Sequence, residues 1–295
     1  MKQISKLFIR ISLLLLIWGF SLRLDAQEKS NNQSVALHRT ETFNLTSSIN
    51  GQNYPIKIAL PGSYYTSDRT YPVVYMLDAY SSFGIMTEMA RLLASDKEIP
   101  EIIIVGISSE GGSKEFIYNR SRDYTPVPIP QQNIPDEYKS LVPVSGGAEK
   151  FFGFIKNELI PAAESKYRID SSDRTLEGHS LGGLFVFYSL FQQPDLFKRY
   201  ISISPALEWD GGFVRKLEKE FFESKKPMTA VIYTAVGSME SDKFTKPWVQ
   251  FIDNMKTRNY PGLEMKTEIG NNETHYTMIP YIATHGLKSV FAAGK

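Results

Sequence analysis

From Tyr71 onward the chain alternates short β-rich runs with longer stretches of helical spacing, and no other feature of the sequence narrows the fold so far. The β-rich runs are Val73 to Leu77, Ile102 to Ile107, Arg174 to Glu177, Tyr200 to Ser204, Ala230 to Ala235 and Leu263 to Ile269. Helical periodicity predicts helices over Met86 to Ser95, Ala148 to Tyr167, Leu181 to Gln192, Phe213 to Ser224, Thr245 to Arg258 and Met278 to Ala292. A parallel strand pair needs a crossover of a dozen or more residues, usually a helix, so the alternation predicts a mostly parallel central sheet with helices on both faces. Ahead of it, two alternating segments, Glu41 to Ser47 and Tyr54 to Leu60, flank Asn50-Gly51 and predict an N-terminal antiparallel hairpin at the sheet edge.

With 295 residues and 42% hydrophobic content the chain can bury one large core, and no internal repeat or linker marks a second folding unit. The expected organisation is a signal peptide over residues 1–26 followed by a single domain over residues 27–295. Three basic residues within Met1 to Arg10, the largely apolar run Ile11 to Phe20 and a small-residue end at Ala26 carry the leader reading. That run is about half the roughly 20 residues a spanning helix needs, so the expectation is export, periplasmic or secreted, with no permanent membrane anchor. One stretch breaks the rhythm. From Ser108 to Gly146 no period is visible, and Pro126, Pro128, Pro130, Pro135 and Pro143 argue against a continuous helix or central strand, so it reads as a long loop covering a site, with a plain surface excursion as the alternative.

The balance of 33 basic against 32 acidic residues provides no global field for nucleic acid or an anionic membrane, which points to a small or locally recognised partner. The absence of cysteine excludes disulfides, thiolate metal sites and a cysteine nucleophile.

Between a predicted strand and a predicted helix lies Gly178-His179-Ser180-Leu181-Gly182, the context that a G-x-S-x-G nucleophile turn requires. Such a turn presents Ser180 Oγ at the carboxyl edge of the sheet, and the N-terminus of the following helix points its N–H groups at the same place. The alternative is a glycine-rich turn in which the serine is an incidental helix cap. A serine nucleophile needs a base, and the chain has four histidines. His38 precedes the hairpin, His179 sits within the turn with its side chain directed away from that of Ser180, and His285 falls inside the last predicted helix. His275 follows the last predicted strand and is assigned as the base. The group that orients it is expected at another strand end, where Glu240 and Asp242 both qualify; Glu240, nearer the strand, is preferred. The order Ser180, Glu240, His275 is that of one particular scaffold.

These residues resemble the α/β-hydrolase superfamily and, within it, the esterase D-like and enterochelin (siderophore) esterase-like group. The similarity extends over most of the chain after the leader and includes Leu77-Asp78, Arg120-Ser-Arg-Asp-Tyr-Thr-Pro126, Gly178-His-Ser-Leu-Gly-Gly183 and Ser204-Pro-Ala-Leu-Glu-Trp-Asp210. The resemblance implies an α/β-hydrolase fold and carboxylic ester hydrolysis through an acyl-enzyme on Ser180, with no metal and no organic cofactor. It also implies an oxyanion hole formed by the N–H of Leu181 and that of Ala79 or Tyr80; where many relatives have glycine after the aspartate, this chain has Ala79. Arg120 and Arg122 are candidates to hold an anionic part of the substrate, with an Arg122–Asp123 pair that pins the loop as the alternative for Arg122. Tyr80, Tyr124 and Trp209 are candidates for an aromatic wall, or equally for core packing. The expected partner is a small-molecule or saccharide ester, with a siderophore lactone and an acylated carbohydrate both in view. A non-catalytic binding module and an acyltransferase using the same serine are the rival classes.

Overall fold

The computed structural model describes residues 36–128, Lys139, 145–209 and 211–292. The leader assignment over residues 1–26, Pro130, Pro135, Pro143 and Asp210 lie outside the described residues.

The expected sheet is present, with eight strands in one layer. In chain order they are β1 (Thr40–Thr46), β2 (Asn53–Ala59), β3 (Tyr71–Met76), β4 (Ile103–Ile107), β5 (Ile169–His179), β6 (Arg199–Ile203), β7 (Ala230–Gly237) and β8 (Leu263–Gly270). They lie side by side as β1-β2-β4-β3-β5-β6-β7-β8. β1 and β2 form the expected antiparallel hairpin, and β2 continues antiparallel onto β4. All later pairings are parallel. After β3 the chain first adds β4 on one side and then returns to place β5 on the other. The crevice outside the carboxyl ends of β3 and β5 is therefore the switch point where ligands bind in open sheets of this kind.

The helices are α1 (Ala79–Ser95), α2 (Ser113–Tyr124), α3 (Ala148–Phe154), α4 (Ile160–Lys166), α5 (Leu181–Gln192), α6 (Phe213–Glu223), α7 (Asp242–Arg258), α8 (Met278–Tyr281) and α9 (Leu287–Ala292). Wider π-type turns at Ile155–Leu159 and Ile282–Gly286 join α3 to α4 and α8 to α9. Every residue of β4 and β6 is buried, which requires cover on both faces of the sheet. On one face, α1 packs with the C-terminal helical segment, where Gly286 lies so close to Ile201 that a Cβ would come within 2.8 Å of it. On the other, α5 is the hub. Eleven of its positions are buried, and Phe185, Phe187 and Phe191 meet Tyr124 of α2, Phe151 of α3, Phe221 of α6 and Phe251 of α7. A helix apolar all round is one that other helices enclose.

Two expectations are corrected. Helix α1 starts at Ala79 and not at Met86, because Asp78 takes a left-handed backbone (φ 55°) that turns β3 directly into the helix. The stretch from Ser108 to Gly146 contains α2, a full helix. Only Ser121, Asp123 and Tyr124 of α2 are buried, so it carries no apolar stripe by which to read its period.

Candidate active site

The turn after β5 has the geometry that its sequence predicts. Ser180 adopts φ 61° and ψ −116°, a conformation that costs energy for a residue with a side chain. Its peptide is held from three directions: Ser180 N–H donates to Ile203 O (2.9 Å), and its carbonyl accepts from Leu184 N (3.0 Å) and Ala206 N (3.1 Å). Gly178 is required because a Cβ there would meet the backbone of Gly182 at 2.5 Å. On the far side of that contact, a Cβ on Gly182 would lie 3.2 Å from Asp78 Oδ2, so the N-termini of α1 and α5 adjoin. Neither Ala79 and Tyr80 at the start of α1 nor Leu181 at the start of α5 has an intrahelical acceptor for its N–H, since the first four donors of any helix lack one.

The imidazole of His275 lies beyond the end of β8. Its Nδ1 donates to Glu240 Oε2 at 2.7 Å, and the Glu240 side chain is fully covered. Glu240 Oε1 accepts from Ser204 Oγ (2.5 Å) and from Gly237 N–H (2.7 Å). Burial pushes the Glu240 carboxyl up, but the hydrogen bonds from His275, Ser204 and Gly237 outweigh it and hold the group below the usual range. Asp242, the other candidate, lies at the first turn of α7, exposed and paired with Lys246 at 2.6 Å. With Nδ1 engaged, Nε2 of His275 is the nitrogen left to take a proton.

His179 connects the two halves. Its Nε2 lies 2.7 Å from the main-chain oxygen of His275, and the two rings are 4.4 Å apart. Phe244 of α7 covers His275 at 4.3 Å, and the exposed Tyr276 meets it edge-on. Neither aromatic carries a sequence signal, whereas Ser204 belongs to the Ser-Pro stretch already singled out. His285 is exposed in the π-type turn, stacked on Tyr281 and bonded to Glu268 at 3.2 Å.

The substrate-binding candidates make contacts within the chain, and three of them also line an adjoining cleft. Arg120 donates Nε and Nη2 to the two oxygens of Asp78 (2.9 and 2.7 Å) and Nη2 also to His179 O (3.1 Å). Its bidentate edge is therefore filled by a residue of the chain, as a buried guanidinium requires. Tyr124 is buried, and its hydroxyl accepts from Asp78 N–H at 3.2 Å. Arg122 forms the alternative ion pair with Asp123, at 2.8 and 2.7 Å, and also holds Gln52 and Asn119. These three residues brace the floor of the site. Tyr80 stacks on Phe116 at 4.8 Å, partly exposed. Trp209 packs partly buried against the core. A cleft of about 870 Å³ opens alongside, lined among the described residues by Tyr54, Ser108, Phe116, Arg120, Arg122 and Tyr124, among others. Ser180 and His275 are not in its wall, and Arg120 is the link between cleft and elbow.

Glu177, in β5, is fully buried with Oε1 unpartnered, and burial followed by the charge of Asp78 raises its pKa well above the usual value. Among the described residues no cluster of three or more His, Cys, Asp or Glu is placed to hold a metal ion, and no helix is long and apolar enough to cross a membrane.

A strained serine at the switch point of a parallel sheet, two helix N-termini beside it and a buried carboxylate–imidazole pair define a serine hydrolase of the α/β-hydrolase class. The chain belongs to the esterase family described as "Putative esterase", whose model matches residues 47–281. It is 32% identical over 276 residues to the ferri-bacillibactin esterase BesA of Bacillus subtilis, a match that spans 90% of this chain and 93% of that protein. Among solved structures, the BES protein from Bacillus cereus aligns with a TM-score of 0.78 at 27% identity, covering 90% of this chain and 99% of the other. An IroE-like serine hydrolase from Shewanella oneidensis aligns with a TM-score of 0.76 at 27% identity, covering 86% and 80%. The chain is a serine esterase.

Proposed function

We propose that Ser180 is the nucleophile, His275 the general base and Glu240 the orienting acid of an esterase that opens siderophore esters. The observation that carries the site assignment is the 2.7 Å contact between His275 Nδ1 and the covered Glu240 carboxylate. It fixes the tautomer in which Nε2 is the proton acceptor. Ser180 Oγ attacks the ester carbonyl as its proton passes to His275 Nε2, and the oxyanion is met by the N–H of Leu181 and by that of Ala79 or Tyr80. Collapse of the tetrahedral species expels the alcohol, which takes the proton from His275. Water, deprotonated by the same imidazole, then cleaves the acyl-enzyme.

The likeness to a ferri-bacillibactin esterase supports a siderophore ester as substrate. The adjoining cleft is large enough for one arm of such a molecule, since drug-sized ligands occupy roughly 300–1,000 Å³. Phe116 in its wall, with Tyr80 stacked on it at 4.8 Å, supplies a flat apolar contact. The leader-like residues 1–26 support export of the mature enzyme, periplasmic or secreted. The test is a panel of ferric and iron-free siderophore lactones and feruloylated or acetylated saccharides, incubated with the enzyme and its Ser180→Ala variant and followed by chromatography. Opening of the lactones in preference to the saccharides, absent in the variant, is the expected result. Preferential cleavage of the saccharides would replace the substrate assignment and leave the site assignment standing.

A further inference from the structure

We propose that His179 is a positioning residue: its Nε2–H holds the main-chain carbonyl of His275 and thereby ties the loop that carries the base to the nucleophile elbow. The inference rests on the assignment of Ser180 and His275 made above. A carbonyl oxygen can only accept, so the 2.7 Å contact requires the proton on His179 Nε2. The hydrogen bonds that hold residues 270–278 elsewhere run within the loop or to the end of β7: Ser238 N to Gly270 O, Met239 N to Glu273 O, Asn272 N to Ser238 Oγ, and His275 to Glu240. Those bonds set the height and rotation of the imidazole but belong to the β7–β8 side of the sheet. The His179 bond runs crosswise, from the residue next to the nucleophile.

The tie is itself anchored. Arg120 Nη2 donates to the His179 carbonyl and is locked bidentately by Asp78 at the start of α1, so a chain of contacts passes from Asp78 through Arg120 and His179 to His275. The charged or titratable groups facing the His179 ring are His275 from the base loop and Arg120 from α2. Burial, followed by those two groups, keeps its pKa well below that of a free imidazole. Neutrality matters here, because His275 becomes a cation once per chemical step, with ring centres only 4.4 Å apart. A charged His179 would oppose that protonation.

The test compares His179→Phe, which keeps a ring but has no donor, with His179→Gln, whose amide N–H can donate. The expected result for the Phe variant is a fall of about 30- to 100-fold in kcat on a nitrophenyl ester, with KM within about twofold, since a displacement of about 1 Å costs a factor of that order. Fluorophosphonate labelling of Ser180 should slow by the same ratio, and the Gln variant should recover to within about fivefold of the wild type. Equal activity of the Phe variant and wild type, or equal impairment of Phe and Gln, would overturn the proposal. A measurement on the unaltered protein stands apart from the folding of either variant. In ¹⁵N imidazole spectra the His179 ring should be neutral and protonated at Nε2 at neutral pH. A His179 ring that is charged at that pH, or protonated at Nδ1 alone, also overturns it. If wild-type Ser180 fails to label at all, the site assignment has failed instead, and the imidazole spectra still decide the tautomer of His179.

Discussion

The elbow at residues 178–183 and the loop at residues 270–278 each present a side chain at the carboxyl edge of the same sheet, yet they are fixed by different physics. The elbow combines close packing within a few residues of chain, Gly178 against Gly182, with main-chain hydrogen bonds that hold Ser180 at φ 61°. The loop is fixed by hydrogen bonds to groups distant in sequence, Glu240 at a separation of 35 residues and His179 at 96. A steric device tolerates little change in size but is indifferent to charge. A polar device tolerates changes in shape and fails when one donor or acceptor is removed. The two halves of the site should therefore respond differently to substitution.

The largest expected effect is on the elbow. Ser180→Ala should lower kcat by about 10⁶-fold with an unchanged melting curve, as expected for the loss of a triad nucleophile; more than about 1% residual turnover in steady-state assays would move the nucleophile elsewhere. On the loop side, Glu240→Gln keeps the shape and removes the charge, and a fall of about 10⁴-fold in kcat is expected because the amide favours the wrong imidazole tautomer. Asp242→Asn, on an exposed residue of α7, should stay within about twofold, so a comparable loss in the two variants would break the assignment of the acid.

Beneath both halves, Arg120→Met should destabilise the fold by about 3–5 kcal/mol in urea titrations, because Asp78 is left as a buried, uncompensated carboxylate. A loss below about 1 kcal/mol would show that water already reaches the pair. The smallest effect concerns Glu177. Its folded pKa is raised, so above the ordinary glutamate value of 4.5 the folded state holds a proton that the unfolded chain has released. Stability contributed by the protonated group is complete below that value and declines as pH rises toward the raised folded pKa. Glu177→Gln should thus gain urea stability relative to the wild type as pH rises above the ordinary glutamate value, with a difference that stops changing well below it. A pH-independent difference would mean that Glu177 titrates normally.

The same contrast explains what the sequence made legible. The limits of α5, Leu181 to Gln192, were readable because strand, glycines and helix follow one another without interruption. The parallel sheet was readable for a similar reason, since each strand run and its crossover helix are contiguous. Helix α2 was not, because the contacts that secure it are remote: Arg120 to Asp78 across 42 residues, Arg122 to Gln52 across 70, and Asp123 to Tyr54 across 69. For the same reason the pairing of Arg120 with Asp78 was hidden, whereas the Arg122–Asp123 pair and the packing of Tyr124 stood among the alternatives that the sequence offered. Glu240 was preferred over Asp242 already from its place nearer the strand end, whereas the Ser204 and Gly237 contacts that hold its carboxylate had no sequence signal. Phe244 and Tyr276, which flank the base, have no spacing or motif that would mark them.

The three hydrogen bonds on the Ser180 peptide reach β6, the segment that follows it and α5. The strain in that backbone therefore has no local escape: to relax, the turn must shed partners in β6, in the segment that follows it and in α5. Loss of the reactive geometry and loss of the fold are then one event. On heating, the Ser180 turn should keep its conformation until β6 and α5 part from it, with no earlier, softer stage of loosening at the elbow.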